Sequence, residues 1–195
     1  MEKEEKSNSR IWYHCTMRIL AIYGSLNSDS INKALIQTFA AMASPDMQME
    51  VQGIEGFPLF SRDLERRGTP QIALDYKAKI LAADGILIST PEYNRSLPGA
   101  FKNVIDWTSR GEHPWKGKPV GVVGASDGQR GANVAQYDLK RILAYFDAHV
   151  LGQPEIHFAE GDKKVADGMV TDEKTKGYIA GYLEKFKAHV ERFSR

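Results

Sequence analysis

Residues able to do chemistry crowd into two short stretches of this chain. The first runs from Pro91 to Arg110 and opens Pro91-Glu92-Tyr93-Asn94-Arg95-Ser96-Leu97-Pro98-Gly99. It sets a carboxylate, a phenol, an amide and a guanidinium side by side between two prolines. The apolar run Gly85 to Thr90 reads as a strand, and Pro91 stops it because proline has no N–H for the ladder. Pro98-Gly99 opens a helix, where the missing N–H has no partner to lose. A strand that breaks into a polar loop and then a helix is where α/β folds place ligands. The spacing alone marks a binding loop and names no reaction.

The second stretch is Gly24-Ser25-Leu26-Asn27-Ser28-Asp29-Ser30-Ile31-Asn32. It offers the hydroxyls of Ser25, Ser28 and Ser30 and the amide of Asn32, and it leads into a helix N-terminus. Free N–H groups and the helix dipole there favour a phosphate. The same residues also read more simply, with Ser30 or Asp29 capping the helix. The loop has neither G-x-G-x-x-G nor G-K-[ST], so it is not a dinucleotide fingerprint or a Walker loop. A third turn, Ala125-Ser126-Asp127-Gly128, follows another apolar run. No Ser/His/Asp or Cys/His constellation is visible. The histidines, His14, His113, His149, His157 and His189, lack metal-ligand spacing. No catalytic side chain and no metal ligand is nominated.

Alternating elements must hold these loops. Ile19 to Tyr23, Met49 to Ile54, Ile86 to Ser89, Val120 to Ala125 and Val150 to His157 read as strands, the last interrupted by Gly152 and Pro154. Helical spacing links Ile31, Leu35, Phe39 and Met42; then Ile72, Tyr76 and Ile80; then Leu139, Ile142, Leu143 and Phe146; then Ile179 to Phe193. The helix after Pro98 carries Leu97, Ala100, Phe101, Val104, Ile105 and Trp107 on one arc. That arc is wider than a sheet face requires, which predicts a subunit contact at Trp107 as well. Glu55 to Gly68 and Ala159 to Thr171 read as loops. Strands alternating with helices imply an α/β domain, a doubly wound parallel sheet with helices on both faces. Alternation leaves several strand orders open.

Residues 1–16 read as a charged, irregular extension and residues 17–195 as one domain, a length that suits 195 residues. The net charge of +1, with Lys and Arg spread along the chain, argues against a nucleic-acid surface. Cys15 is the only cysteine, so no intrachain disulfide forms and a reducing, cytoplasmic setting is expected. No apolar run reaches the roughly 18 residues of a membrane helix.

The run P-E-Y-N-x-S-x-P-G-x-F-K-N-x-I-D-W resembles the signature loop of the NADPH-dependent FMN reductase family. These flavodoxin-like enzymes include quinone, azo-dye and chromate reductases. Gly24 to Asn32 resembles that family's phosphate loop, and Ala125 to Gly128 its second flavin loop. The resemblance implies a five-stranded sheet of order 2-1-3-4-5. It places the FMN phosphate at Ser25, Asn27, Ser30, Ile31 and Asn32. It places the isoalloxazine edge at Pro91 and at the backbone N–H groups of Glu92, Tyr93 and Asn94, with Ser126 and Gly128 at the opposite rim. It implies NADPH or NADH as co-substrate, a small electron acceptor such as a quinone, and a homodimer or homotetramer. The alternative is a flavodoxin-like electron carrier or redox sensor that docks to protein partners; near-neutral charge counts against it. A non-flavin binding domain on the same scaffold is a third reading.

One position departs from the family, which carries arginine where this chain has Asn27. Another cation, with Arg95 as a candidate, would have to neutralise the phosphate. A charged hydrogen bond to phosphate contributes about 1.5–3 kcal/mol. Asn27→Arg is therefore expected to tighten FMN binding about tenfold or more at low salt, and less at high salt. Flavin fluorescence quenching at two salt concentrations measures it, and no gain at low salt would mean that another residue already supplies the charge.

Overall fold

The computed structural model describes residues 16–194. The expected N-terminal extension, apart from Thr16, lies outside the described residues, as do His14 and Cys15. Strand β1 (Met17–Tyr23) sends Ile19 and Ala21 to one side and Leu20 and Ile22 to the other, all 2% exposed or less. A strand buried on both faces belongs in the middle of a covered sheet. It pairs in parallel with β2 (Met47–Gln52) on one side and β3 (Gly85–Thr90) on the other. β3 pairs in turn with β4 (Pro119–Ala125), and every residue of these two strands is buried.

The fifth position is divided. β5 (His149–Val150) pairs with the start of β4, and β6 (His157–Phe158) pairs with its end. Leu151 N still donates to Val120 O and Ile156 O still accepts from Gly124 N, but residues 152–155 between them leave the ladder, where Pro154 could donate nothing to it. The order is β2-β1-β3-β4-β5, with β6 also on β4. This is the flavodoxin-like, doubly wound order, and its switch point lies between β1 and β3.

One face of the sheet is covered by α1 (Ile31–Met42) and α6 (Glu173–Phe193), through Leu35, Phe39, Tyr182, Phe186 and Val190. The other face is covered by α3 (Gln71–Ala82), α4 (Gly99–Thr108) and α5 (Asn133–Tyr145), through Tyr76, Ile80, Phe101, Val104, Leu139 and Leu143. Helix α6 lies so close that a Cβ on Gly121 would stand 2.7 Å from the Tyr182 hydroxyl and 3.0 Å from the Phe186 ring.

Two connections hold more structure than their composition suggests. The 55–68 segment contains the single-turn helix α2 (Arg62–Arg66), with Ser61 as its cap. The 159–171 segment folds into a 3-10 turn at Gly161–Lys163 and a hairpin of β7 (Val165–Ala166) and β8 (Met169–Val170). The hairpin is anchored to α1, because the Val170 N–H donates to Thr38 Oγ1 at 2.9 Å. Short polar elements carry little periodicity, so neither shows in the pattern.

The broad arc of α4 has an explanation within the chain. Trp107 is fully buried, and its Nε1 donates to Pro58 O at 2.8 Å. Its ring meets Phe60 edge-on at 5.0 Å. Asn103 grips the same segment, donating to Pro58 O at 2.9 Å and accepting from Phe60 N at 2.7 Å. The arc thus covers both the sheet and the 57–60 segment, and Trp107 makes no case for a subunit contact. Trp107→Ala is expected to destabilise the protein by about 3–5 kcal/mol, the usual range for emptying a buried aromatic site. Urea unfolding without added flavin measures it, and a loss below about 1 kcal/mol would mean that the indole is not seated in the core.

Candidate functional site

Gly24 begins the first crevice loop hard against its neighbours. Its N–H donates to Ser89 O at 2.8 Å, and a Cβ there would lie 3.0 Å from the Phe101 ring. The loop then orders itself locally. Asn27 N donates to Ser25 Oγ at 3.2 Å, and Asp29 N donates to Asn27 Oδ1 at 3.3 Å. Ser30 caps α1, its Oγ accepting from Lys33 N at 3.2 Å. Ser25 and Ser30 are almost fully buried. Both hydroxyls accept from backbone, so each keeps its hydrogen for an outside acceptor. The N–H groups of Ile31 and Asn32 open the helix and have no acceptor within it. Two hydroxyl and two amide donors at a helix N-terminus form a donor set that fits a phosphate.

Asn32 is placed differently from the expectation. Its amide faces the sheet rather than the loop. Nδ2 donates to Ala125 O at 3.0 Å, while Oδ1 accepts from Ala125 N at 3.0 Å and from Ser89 Oγ at 2.7 Å. Its side chain builds the crevice floor, and only its backbone N–H remains for a ligand. Lys33, which the sequence motifs do not single out, adds a cation in the first turn of α1, with Nζ 5.7 Å from the Tyr23 ring centroid. A signal was present: a lysine in a helix's first turn opposes the dipole and calls for a reason.

The second loop is a tight hairpin tip. Tyr93 N donates to Ser96 O at 2.9 Å and Ser96 N donates to Tyr93 O at 3.1 Å. Asn94 and Arg95 between them have φ of 50° and 65°. This is the left-handed pair that hairpin turns favour, usually met by Asn-Gly. An arginine there costs about 1–2 kcal/mol. Of the three N–H groups expected to face the flavin, that of Tyr93 is directed into the turn. Pro91 is buried, and Tyr93 and Asn94 are exposed. Arg95 Nη1 lies 3.8 Å from Glu92 Oε1.

The third loop is held from the far side. Ser126 N donates to Phe158 O, Gly161 N to Ser126 O and Glu160 N to Gly128 O, each at 3.0 Å. Ser126 Oγ donates to Gly128 O at 3.1 Å. The polar atoms of Ser126 and Gly128 thus largely secure the loop itself.

The Tyr23 phenol, which donates to Glu55 Oε1 at 3.0 Å, is pushed up first by partial burial and then by that carboxylate. Burial pushes the Tyr76 phenol up further. Both stay protonated near neutrality. Among the described residues no cluster of three His, Cys, Asp or Glu side chains could hold a metal.

Removing the Asn32 amide leaves Ala125 N, Ala125 O and Ser89 Oγ without it in a dry site. Each abandoned buried group costs about 1–3 kcal/mol. Asn32→Ala is expected to lower stability by about 3 kcal/mol or more in urea unfolding without added flavin, whereas Ser30→Ala loses a cap worth about 1 kcal/mol. Equal losses in the two variants would contradict the floor role of Asn32.

Residues 17–163 match the family model described as NADPH-dependent FMN reductase. The chain is 38% identical over 177 residues to a 2-hydroxy-1,4-benzoquinone reductase of Burkholderia sp, covering 89% of this chain and 96% of the relative. It is 34% identical over 181 residues to a quinone reductase of Escherichia coli, covering 90% and 96%. Its fold superimposes with a TM-score of 0.82 on the solved flavoenzyme NAD(P)H:(acceptor) oxidoreductase FerB of Paracoccus denitrificans, at 35% identity over 91% of this chain and 98% of that one. Fold, crevice loops and relatives agree, and the chain belongs to the NADPH-dependent FMN reductase family of oxidoreductases.

Proposed function

We propose that this chain binds FMN at the β1–β3 switch point and works as an NAD(P)H-dependent reductase of a small acceptor such as a quinone. The observation that carries the reading is the donor set of the first loop. Two buried serine hydroxyls with free hydrogens and two first-turn amides converge where the sheet order reverses. Ser25, Ser30 and the N–H groups of Ile31 and Asn32 would hold the phosphate. Pro91, Glu92 and Asn94 would border one edge of the ring and Ser126 and Gly128 the other. Bound there, FMN would supply the redox chemistry, taking hydride from a nicotinamide and delivering it to the acceptor. The chain's part is to bind, orient and leave one ring face open. A single open face serving both substrates in turn gives ping-pong kinetics.

The purified protein is expected to show a flavin band in the visible blue and to oxidise NADPH or NADH when a benzoquinone is added. A protein that neither carries nor quenches FMN would overturn the proposal. Oxidation that starts only with a protein partner would instead favour the electron carrier.

The same end of the sheet suggests an assembly. Leu26, Leu59 and Tyr93 are 57%, 82% and 53% exposed, on the loops that follow β1, β2 and β3. We infer that a second copy covers this apolar rim in a homodimer or homotetramer. Light scattering should give at least twice the 21.8 kDa chain mass, and Leu59→Glu should lower it while the protein stays folded. A wild type that elutes as a monomer at micromolar concentration would overturn the assembly alone.

A further inference from the structure

Helix α5 begins without a cap of its own. Ala132, at its N-terminal boundary, has φ of 58° and no side chain that could accept a hydrogen bond. The cap comes instead from 42 residues upstream. Glu92 Oε2 accepts from Val134 N at 2.9 Å and from Ala135 N at 3.2 Å. The Glu92 side chain is only 13% exposed, and its other oxygen faces the Arg95 guanidinium. One turn further along α5, Asp138 Oδ2 accepts from Ser96 Oγ at 2.7 Å. Arg141 Nη2 lies 3.7 Å from the other oxygen of Asp138.

These contacts bracket the strained tip. Glu92 lies just before the Tyr93–Ser96 turn and Ser96 closes it, and both are fastened to the same helix. A turn with two non-glycine residues at positive φ persists only where its surroundings over-determine it. The carboxylate suits its place, since a helix N-terminus carries partial positive charge and free N–H groups. The β4–α5 connection, which includes Ser126 and Gly128, ends at the same N-terminus. One side chain therefore ties together the two loops that would border opposite edges of a flavin ring.

We infer that the Glu92 side chain is a positioning residue: its carboxylate clamps the β3–α4 loop to the N-terminus of α5 and so sets the width of the crevice that receives the ring. The inference rests on the flavin reading above, and its effect is on affinity and ring environment rather than on any proton transfer. Asp138 acts as the second, weaker tie, through Ser96.

The test compares Glu92→Ala, Glu92→Gln and Ser96→Ala with wild type, each checked by circular dichroism. Hydrogen exchange of the Val134 and Ala135 amides is measured without FMN, and FMN affinity by fluorescence quenching. Glu92→Ala should speed exchange at both amides at least tenfold, weaken FMN at least tenfold and alter the visible spectrum of the bound flavin. Glu92→Gln keeps an amide oxygen for the same two N–H groups and should restore both readouts to within a few-fold of wild type. Ser96→Ala should weaken FMN by less than Glu92→Ala and leave exchange at Val134 and Ala135 unchanged. Faster exchange with wild-type FMN affinity in Glu92→Ala would make the carboxylate a helix cap only and overturn the inference, while wild-type FMN binding keeps the flavin reading standing. Unchanged exchange, or a Gln variant as impaired as the Ala variant, would also overturn it. Should Glu92→Ala fail to fold, the Gln rescue and the Ser96→Ala affinity still decide. A wild type that leaves FMN fluorescence unquenched would remove the flavin reading, and the clamp's role with it.

Discussion

The crevice depends on one amide. In the β3–β4 ladder Thr90 stands opposite Gly124, so the next pairing would set Pro91 against Ala125. Proline has no N–H, and β3 turns away there. Ala125 would then end a buried strand with its N–H and C=O unpaired on that side. Asn32 meets both, with Oδ1 on the N–H and Nδ2 on the C=O, and takes in the Ser89 hydroxyl as well. A side chain from the first turn of α1 thus completes the ladder where the backbone cannot. This lets two neighbouring strands part without burying an orphaned polar group, at a place where each such group would cost about 1–3 kcal/mol. It also locks α1 to β3 and β4, so the first-turn amides keep a fixed aim.

The far wall is fixed by the broken fifth strand. Gln136 Nε2 donates to both Gly131 O and Ile156 O at 3.1 Å, joining α5, its leading loop and the segment before β6. Gly131, at φ of 54°, packs so tightly on His157 that a Cβ would fall 2.2 Å from its carbonyl carbon. Phe158 of β6 accepts from Ser126 N, and the turn that follows donates from Glu160 N to Gly128 O and from Gly161 N to Ser126 O. An interruption in the ladder therefore serves the site, because the returning segment holds the third loop from below. An uninterrupted strand over 149–158 could not do this, and Gly152 and Pro154 prevent one.

Much of this was legible in the residues. Continuous apolar runs located β1, β3 and β4, and proline after Thr90 located the break. The strand order came from a resemblance, since alternation does not distinguish doubly wound sheets. The sequence points to the backbone of Glu92 and is silent on its carboxylate, whose partners lie 42 and 43 residues away on another element. An amide beside three serines looks like a ligand; that the Asn32 side chain turns inward depends on Pro91 leaving Ala125 without a partner. Trp107 misled for a related reason. An apolar arc shows that something covers it, but not whether that is another chain or the 57–60 segment of the same one.

The Asn27 loop shows a different balance of forces from an arginine loop. The Asn27 side chain accepts from Asp29 N, and Ser25 accepts from Asn27 N, so the loop is held in shape before any ligand arrives. Pre-ordering lowers the entropy cost of binding. It supplies no positive charge, and Asp29 adds a negative one. The remaining positive potential comes from the α1 N-terminus and from Lys33. A lysine in the first turn works against the helix dipole by about 0.3–1 kcal/mol. A bound dianion would reverse that sign, because it would attract the dipole and the lysine together. The loop is thus slightly frustrated when empty, and a phosphate is the kind of ligand that relieves it.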